Sequence, residues 1–239
     1  MPIEVVAFDA DDTLWHNEPL FVDTKAKFQE LLSAYHSAEW IEERLYETEV
    51  RNLEHFGYGI KSFTLSMIET AVELTEGRIR GSDVQRIVDF AKSMVDQPVQ
   101  LLDFVEETVK TLAATFPLVL VTKGDLFDQE SKIARSGLGD LFRSVEVVTN
   151  KDRSTYEAIT NKLDVAPDGF LMVGDSLKSD ILPVLDMGGY AIHVPYDTTW
   201  KHEEVPGDVL DRYEFQEAAS IREVPRMIGE LSRSRGVGF

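Results

Sequence analysis

Three aspartates near the start of the chain are the residues whose types and spacing most directly indicate chemistry. Asp9, Asp11 and Asp12 follow Val5–Phe8, an apolar run that is long enough for a buried strand. Because side chains alternate along a strand, Asp9 and Asp11 face the same side and Asp12 faces the other. Carboxylates this close repel one another beside an apolar core, so a cation or a reaction would explain their presence. An aspartate-rich turn is the alternative interpretation.

Polar residues also follow three later apolar runs. Thr122 comes directly after Leu118–Val121, Asp175 comes after Phe170–Val173, and Lys151 follows the run that lies between these two. Strands separated by helices predict a parallel sheet, in which the carboxyl ends of the strands meet at one edge. We therefore expect these side chains to lie near Asp9. A cluster of carboxylates that offers only oxygen ligands suits Mg²⁺ rather than Zn²⁺.

A long block without strand signals separates the first strand from the others. Apolar residues recur at helical spacing through it, and glycines interrupt the pattern. We predict helices from about Pro19, over Ala38–Phe56, from about Lys61 to Leu74 and from Asp83 to Val95. Residues 1–15 and 99–239 are then expected to form an α/β catalytic core, and residues 16–98 an inserted helical cap.

The second half of the chain alternates between strand and helix patterns. A further strand is predicted over Tyr190–Val194, and residues 232–239 are expected to be frayed. The predicted helices are Leu101–Thr115, Leu126–Ser136, Arg153–Leu163, Leu177–Met187 and Ala218–Leu231.

Composition excludes several classes of protein. The formal net charge of -19 over 239 residues argues against a nucleic acid or an anionic membrane as partner. A small anionic substrate stays possible, because a metal ion and a lysine can reverse the local charge. The chain has no cysteine, which excludes disulfides and thiolate nucleophiles. Neither a membrane-length apolar run nor a signal-peptide pattern is present, so we expect a cytoplasmic protein.

Taken together, the motifs resemble those of the haloacid dehalogenase-like (HAD) hydrolase superfamily, in its phosphatase branch with an N-terminal (type C1) helical cap. The resemblance covers essentially the whole chain and implies a Rossmann-like, doubly wound parallel sheet with an inserted all-helical cap. In chain order, the four family motifs are met by Asp9, Asp11 and Thr13; by Thr122; by Lys151; and by Gly174, Asp175, Ser176 and Asp180.

The resemblance implies roles for the aspartates. Asp9 would be the nucleophile that forms an aspartyl-phosphate, and Asp11 the general acid and base. The side chains of Asp9 and Asp175 and the backbone carbonyl of Asp11 would bind Mg²⁺. Ser176 and Asp180 would support these ligands without binding the ion themselves.

The resemblance also implies how the phosphoryl group is held. Thr122 and the backbone N–H groups of Lys123 and Gly124 would bind its oxygens, and Lys151 would offset its charge. Lys162 is the alternative candidate for this lysine.

Three further residues are candidates for substrate specificity: His16 after the first motif, and Tyr58 and Lys61 at a break between two helices. The chain departs from the family pattern at two positions. Asp12 stands where the family often has glycine, and Asp152 stands where it often has proline.

We therefore expect a Mg²⁺-dependent phosphomonoester hydrolase that acts on a small phosphorylated metabolite, as a monomer or homodimer. A phosphomutase carries the same motifs. A phosphonoacetaldehyde-type hydrolase would need a Schiff-base lysine, for which Lys25 and Lys61 are available. A dehalogenase is disfavoured, since that branch generally lacks a second aspartate such as Asp11.

Outside the enzymes, two classes remain as alternatives. A signalling receiver domain would place its phosphate-accepting aspartate on a later strand and has no need of a cap. A catalytically silent binding protein on the same fold would have no need of the complete motif set.

Overall fold

The computed structural model describes residues 3–234 of the chain, and these divide into two compact units. Within the described residues, the first unit consists of residues 3–16, 99–123 and 131–234. The second consists of Asn17–Pro98 together with Gly124–Glu130.

The first unit is built on a sheet of six parallel strands among the described residues, in the order β3-β2-β1-β4-β5-β6. This order reverses between β1 and β4, as in doubly wound folds, and the predicted fold class is confirmed. The strands are β1 (Val5–Phe8), β2 (Leu118–Lys123), β3 (Ser144–Val148), β4 (Phe170–Gly174), β5 (Tyr190–His193) and β6 (Gln216–Glu217).

Both faces of the central strands are apolar, which explains why β1 reads as a continuous apolar run. Val6 and Phe8 pack into one core, and Val5 and Ala7 pack into a second core on the other side of the sheet. Successive side chains of a strand point to opposite faces. A strand that is covered on both faces therefore needs apolar residues at every position.

The second unit has its own apolar core, which is formed by residues such as Phe28, Leu45, Met67 and Ile87. Local periodicity predicts its helices to within a few residues at each end. They are α1 (Glu18–Leu32), α2 (Ala38–Phe56), α3 (Ile60–Leu74) and α4 (Gly81–Val95).

The remaining helices belong to the first unit, except that α6 begins in the second unit and ends in the first. They are α5 (Val105–Ala113), α6 (Leu126–Ser136), α7 (Arg153–Leu163), α8 (Leu182–Asp186), α9 (Gly207–Leu210) and α10 (Val224–Ser234).

Two predicted helices differ from their sequence patterns, one in its starting residue and the other in its helix type. The helix expected over Leu101–Thr115 begins only at Val105, because Leu101 forms an antiparallel bridge with Trp15 and Phe104 has a left-handed φ of 65°. The helix expected over Leu177–Met187 is a π-helical turn, Leu177–Ile181, followed by α8. Pro183, near the start of α8, has no N–H to donate to the preceding turn.

The C-terminal region differs most from the prediction. Strand β6 pairs with β5, and the backbone N–H of Ala218 extends this pairing by donating to the carbonyl of His193 (2.8 Å). The helix expected from Ala218 therefore starts later, at Val224, and extends to Ser234. The rest of the tail expected to be frayed, residues 235–239, lies outside the described residues. None of the helices described combines the length and apolar character needed to cross a bilayer.

Candidate active site

The strand register brings the first, second and fourth motifs to one edge of the sheet. Phe8 of β1 lies opposite both Leu120 of β2 and Val173 of β4. Asp9 is one residue beyond this row, and Thr122 and Asp175 are each two residues beyond it. All three therefore lie at the carboxyl ends of neighbouring strands, beside the point where the strand order reverses.

Asp9, Asp175 and Asp180 form a carboxylate cluster in which one oxygen of each lies within 4.8 Å of the others. The hydroxyl of Thr13 lies 3.3 Å from Asp9 Oδ2 and 3.1 Å from Asp175 Oδ1, and it accepts the Asp175 N–H at 3.0 Å. Burial raises the pKa of Asp175 well above its ordinary value, and the charges of Asp9 and Asp180 raise it further. Closely spaced carboxylates with such unfavourable charge fit a hard divalent cation such as Mg²⁺.

Lys151 partly compensates this charge. Its buried ammonium donates to Asp9 Oδ1 and, at 2.7 Å, to Asp180 Oδ1. Burial lowers the pKa of Lys151, but Asp180 and Asp9 outweigh burial and raise it above its ordinary value. Lys162, the alternative candidate, instead pairs with Glu146 at 2.8 Å, and its side chain is 64% exposed.

Asp180 is a buried member of this site and not an exposed residue on a helix surface. Its Oδ1 accepts from Lys151, its Oδ2 accepts the N–H of Ser176 at 3.1 Å, and the residue is fully buried. Burial raises the pKa of Asp180 to about 6, against the lowering effect of Lys151. Gly174 makes room for this side chain, because a Cβ at position 174 would lie 2.3 Å from Asp180 Oδ2.

Asp11 has a different set of partners. Lys132 on α6 donates to both of its carboxylate oxygens, at 2.7 and 2.8 Å, and the Trp15 indole N–H donates to Oδ1 at 2.7 Å. The Asp11 side chain is not part of the carboxylate cluster around Asp9. Lys132 carries no motif signal, so the sequence does not predict this contact.

The residues expected to hold the phosphoryl group lie at the end of β2. Thr122 is buried, and Gly124 has a φ of 133°, a conformation that glycine adopts without strain. The Lys123 side chain donates to Glu203 Oε1 at 2.6 Å and to Ser179 Oγ at 2.8 Å.

Glu203 is a second residue that sequence reasoning missed. It accepts from Lys123 and, at 2.6 Å, from the hydroxyl of Ser176, and it therefore connects the second motif to the fourth. Burial by itself raises the pKa of Glu203, but Lys123 and the serine hydroxyls outweigh burial and lower it to about 2. Glu203 lies in a short loop turn without a motif, so no sequence signal marks it.

The three specificity candidates differ in exposure and in position. The exposed His16 has its Nδ1 2.6 Å from the hydroxyl of Tyr196. In the second unit, Lys61 is 68% exposed and donates to Asp125 Oδ1 at 2.9 Å. Tyr58, in the same unit, is half-buried.

The structure accounts for both departures from the family pattern. Asp12 has a φ of 63°, in the left-handed region that favours glycine but that aspartate also tolerates. Asp152 is the N-cap of α7, where its carboxylate accepts the N–H of Thr155 at 2.9 Å. Each substitution therefore suits the local backbone.

Comparison with known proteins shows the family of this chain. A family model described as haloacid dehalogenase-like hydrolase matches residues 3–188. The chain belongs to the haloacid dehalogenase-like hydrolases. The resemblance to the HAD hydrolase superfamily, inferred from the motifs, is confirmed.

Similar proteins include both phosphatases and dehalogenases. The chain is 28% identical over 233 residues to the 5-amino-6-(5-phospho-D-ribitylamino)uracil phosphatase YigB of Escherichia coli (strain K12), covering 89% of this chain and 88% of that protein. It is 41% identical to a haloacid dehalogenase-like family hydrolase from Xanthomonas campestris, with a TM-score of 0.87 over 98% of this chain and 94% of that one. A 2-haloacid dehalogenase from Pseudomonas syringae pv. Tomato DC3000 is 22% identical, with a TM-score of 0.62 over 96% and 99% of the two chains, and shares the fold.

Replacing Gly174 by alanine tests whether the buried position of Asp180 requires a glycine. We expect G174A to lower the free energy of unfolding by about 2 kcal/mol or more, because the new methyl group overlaps Asp180. Urea denaturation measures this change. G81A is the matched control, since a Cβ at position 81 meets nothing within 4 Å. Equal stability of the two variants would contradict the prediction.

Replacing Glu203 by glutamine tests its charge interaction with Lys123. The pKa of Glu203 is about 2 in the folded protein, against an ordinary value of 4.5, so its ionisation stabilises the fold fully above about pH 4.5. This contribution is lost as the pH falls toward 2. We expect E203Q to lower the free energy of unfolding by up to about 3 kcal/mol at pH 7 and by less at pH 3.

Urea denaturation at these two pH values measures both effects. The matched control is E204Q, at the exposed neighbouring position. A loss that is the same at both pH values would argue against an electrostatic role for Glu203.

Proposed function

We propose that this protein is a Mg²⁺-dependent phosphatase that hydrolyses the phosphomonoester of a small metabolite through an aspartyl-phosphate on Asp9. The observation that carries the proposal is that two carboxylates, two positions apart in the chain, have different surroundings. Asp9 lies in a cluster with Asp175, beside the ammonium of Lys151, whereas Asp11 is held separately by Lys132. Two carboxylates in contrasting environments are suited to separate nucleophilic and proton-transfer roles.

The proposed Mg²⁺ ligands are the side chains of Asp9 and Asp175 and the backbone carbonyl of Asp11. The unfavourable charge at Asp175, seen in its raised pKa, supports a cation at this position. When bound, Mg²⁺ supplies positive charge that offsets the charge of the phosphoryl oxygens and the nucleophile.

In the first step, a carboxylate oxygen of Asp9 attacks phosphorus while the bond from phosphorus to the ester oxygen breaks. Asp11 donates a proton to that leaving oxygen, which departs as an alcohol. Thr122 and the backbone N–H groups of Lys123 and Gly124 hold the phosphoryl oxygens, and Lys151 offsets negative charge.

In the second step, the Asp11 carboxylate takes a proton from a water molecule as that water attacks phosphorus. The bond between phosphorus and Asp9 breaks, which releases inorganic phosphate and restores the Asp9 carboxylate. Asp11 is then protonated again for the next turnover.

The phosphatase activity named for the 28%-identical Escherichia coli relative supports this reaction class over dehalogenation. A phosphonoacetaldehyde-type reaction is less well supported, because it needs a neutral lysine amine. Lys61 is paired with Asp125, and Lys25 lies 3.7 Å from Glu49.

We also propose that the second unit acts as a cap that supplies substrate specificity, with Tyr58 and Lys61 as the candidates within it. The cytoplasmic location and the monomeric or homodimeric state stay predictions.

Removing the metal tests the cofactor assignment. The purified protein is expected to hydrolyse p-nitrophenyl phosphate with Mg²⁺ present, to lose at least about 10²-fold in rate after chelation, and to recover when Mg²⁺ is added back. The rate of nitrophenol release measures each state. Activity that is unchanged by chelation would contradict the metal assignment.

Replacing Asp9 by asparagine tests the nucleophile. We expect D9N to lower kcat by about 10³-fold or more, because an amide cannot form the aspartyl-phosphate. D12N is the matched control from the same turn, and asparagine also tolerates its left-handed backbone. If D9N keeps substantial turnover while folded, the nucleophile lies elsewhere.

A screen of phosphorylated metabolites, including sugar phosphates and nucleoside monophosphates, identifies the substrate class. Phosphoryl transfer to a second sugar phosphate, in place of phosphate release, would favour a phosphomutase.

A further inference from the structure

The contact between Lys132 and Asp11 is unusual for a helix lysine. The Lys132 side chain is 10% exposed, and its ammonium contacts both oxygens of a carboxylate that lies 121 positions earlier in the chain. The next residue, Ile133, packs in the apolar core beside the sheet. Helix α6 therefore holds Lys132 against Asp11 through well-packed neighbours.

Stability alone is a weak reason for this pair. A buried ion pair can often be replaced by apolar side chains with little loss, because removing two charges from water is costly. The Lys132 and Asp11 side chains are 10% and 21% exposed, and an ion pair that keeps contact with water adds little to stability. The charged pair is better explained by something that the Asp11 carboxylate does.

The partners of Asp11 also restrict how its carboxylate is oriented. Trp15 is 1% exposed, and its indole N–H donates to Oδ1, to which Lys132 also donates. Two donors on rigid, packed elements therefore meet at one oxygen, and Lys132 holds the second oxygen as well. A carboxylate held in this way has one strongly preferred side-chain orientation.

From these contacts we propose that Lys132 is a positioning residue, which together with Trp15 orients the Asp11 carboxyl group so that its protonated form can donate to the leaving oxygen. The inference rests on the proposed function, in which Asp11 is the general acid. Lys132 itself exchanges no proton in this reaction. It fixes the direction of the carboxyl oxygen whose O–H bond breaks as the proton moves to the ester oxygen.

The dependence of kcat/KM on the leaving group of the substrate tests this role. A proton donor matters for a poor leaving group such as phenoxide and much less for 2,4-dinitrophenoxide. For K132M, we expect kcat/KM to fall about 10-fold or more with phenyl phosphate, and less than about 3-fold with 2,4-dinitrophenyl phosphate. D11N should show the same selectivity with a larger loss.

A double mutant separates positioning from a general structural effect. If Lys132 acts through Asp11, adding K132M to D11N should cause no further loss with phenyl phosphate. Losses that multiply, or equal losses on both substrates, would overturn the inference. A gain in kcat/KM for K132M would also overturn it, because the lysine would then hold Asp11 in an unproductive orientation.

Two further variants complete the experiment. K110M removes a lysine that is 58% exposed and pairs with Glu106, and it should leave both rates unchanged. If K132M does not fold, K132Q provides the same comparison, because it removes the positive charge but keeps a polar amide at this position.

The outcomes distinguish this inference from the proposed function. If D11N is selectively impaired and folded K132M is not, only the role of Lys132 is wrong. If D11N itself shows no selective loss, Asp11 is not the general acid, which overturns this inference and the proton-transfer step of the proposed function, whereas D9N still tests the nucleophile.

Discussion

Repulsion between carboxylates near the ends of β1 and β4 is the constraint on which the rest of this edge of the sheet depends. Asp9, Asp175 and Asp180 lie close together, and burial strengthens their mutual repulsion. Lys151 offsets part of this charge from a buried position. Gly174 leaves the space in which Asp180 can face Lys151, so packing and electrostatics at this edge are linked.

Two aspartates that are two positions apart in sequence have different surroundings because different elements reach them. Asp9 contacts Lys151, which follows β3, whereas Asp11 contacts Lys132 on α6 and the indole of Trp15. The same residue type therefore has different charged and hydrogen-bonding partners at the two positions. A similar long-range contact places Glu203 against Lys123 and connects two motifs that lie far apart in the chain.

The parts of the fold that could be predicted are those controlled by local pattern. The helix over Ala38–Phe56 and the strand over Val5–Phe8 occur as expected, because helical periodicity and continuous apolar character are visible within a few residues. The helix expected from Leu101 starts later, since Trp15 pairs with Leu101. Strand β6 was not foreseen, because its two residues gain their pairing from β5 and not from their own sequence.

The sequence by itself determined which residues lie at the carboxyl ends of the strands, since motif spacing and strand patterns are local properties. Only the tertiary structure decided which side chains meet there. It brought Lys151 rather than Lys162 to Asp9, and it paired Lys132 with Asp11 across 121 positions of the chain. The physical reason is that a buried ion pair depends on where two distant elements pack, and a lysine carries no local sign of the carboxylate that it will contact.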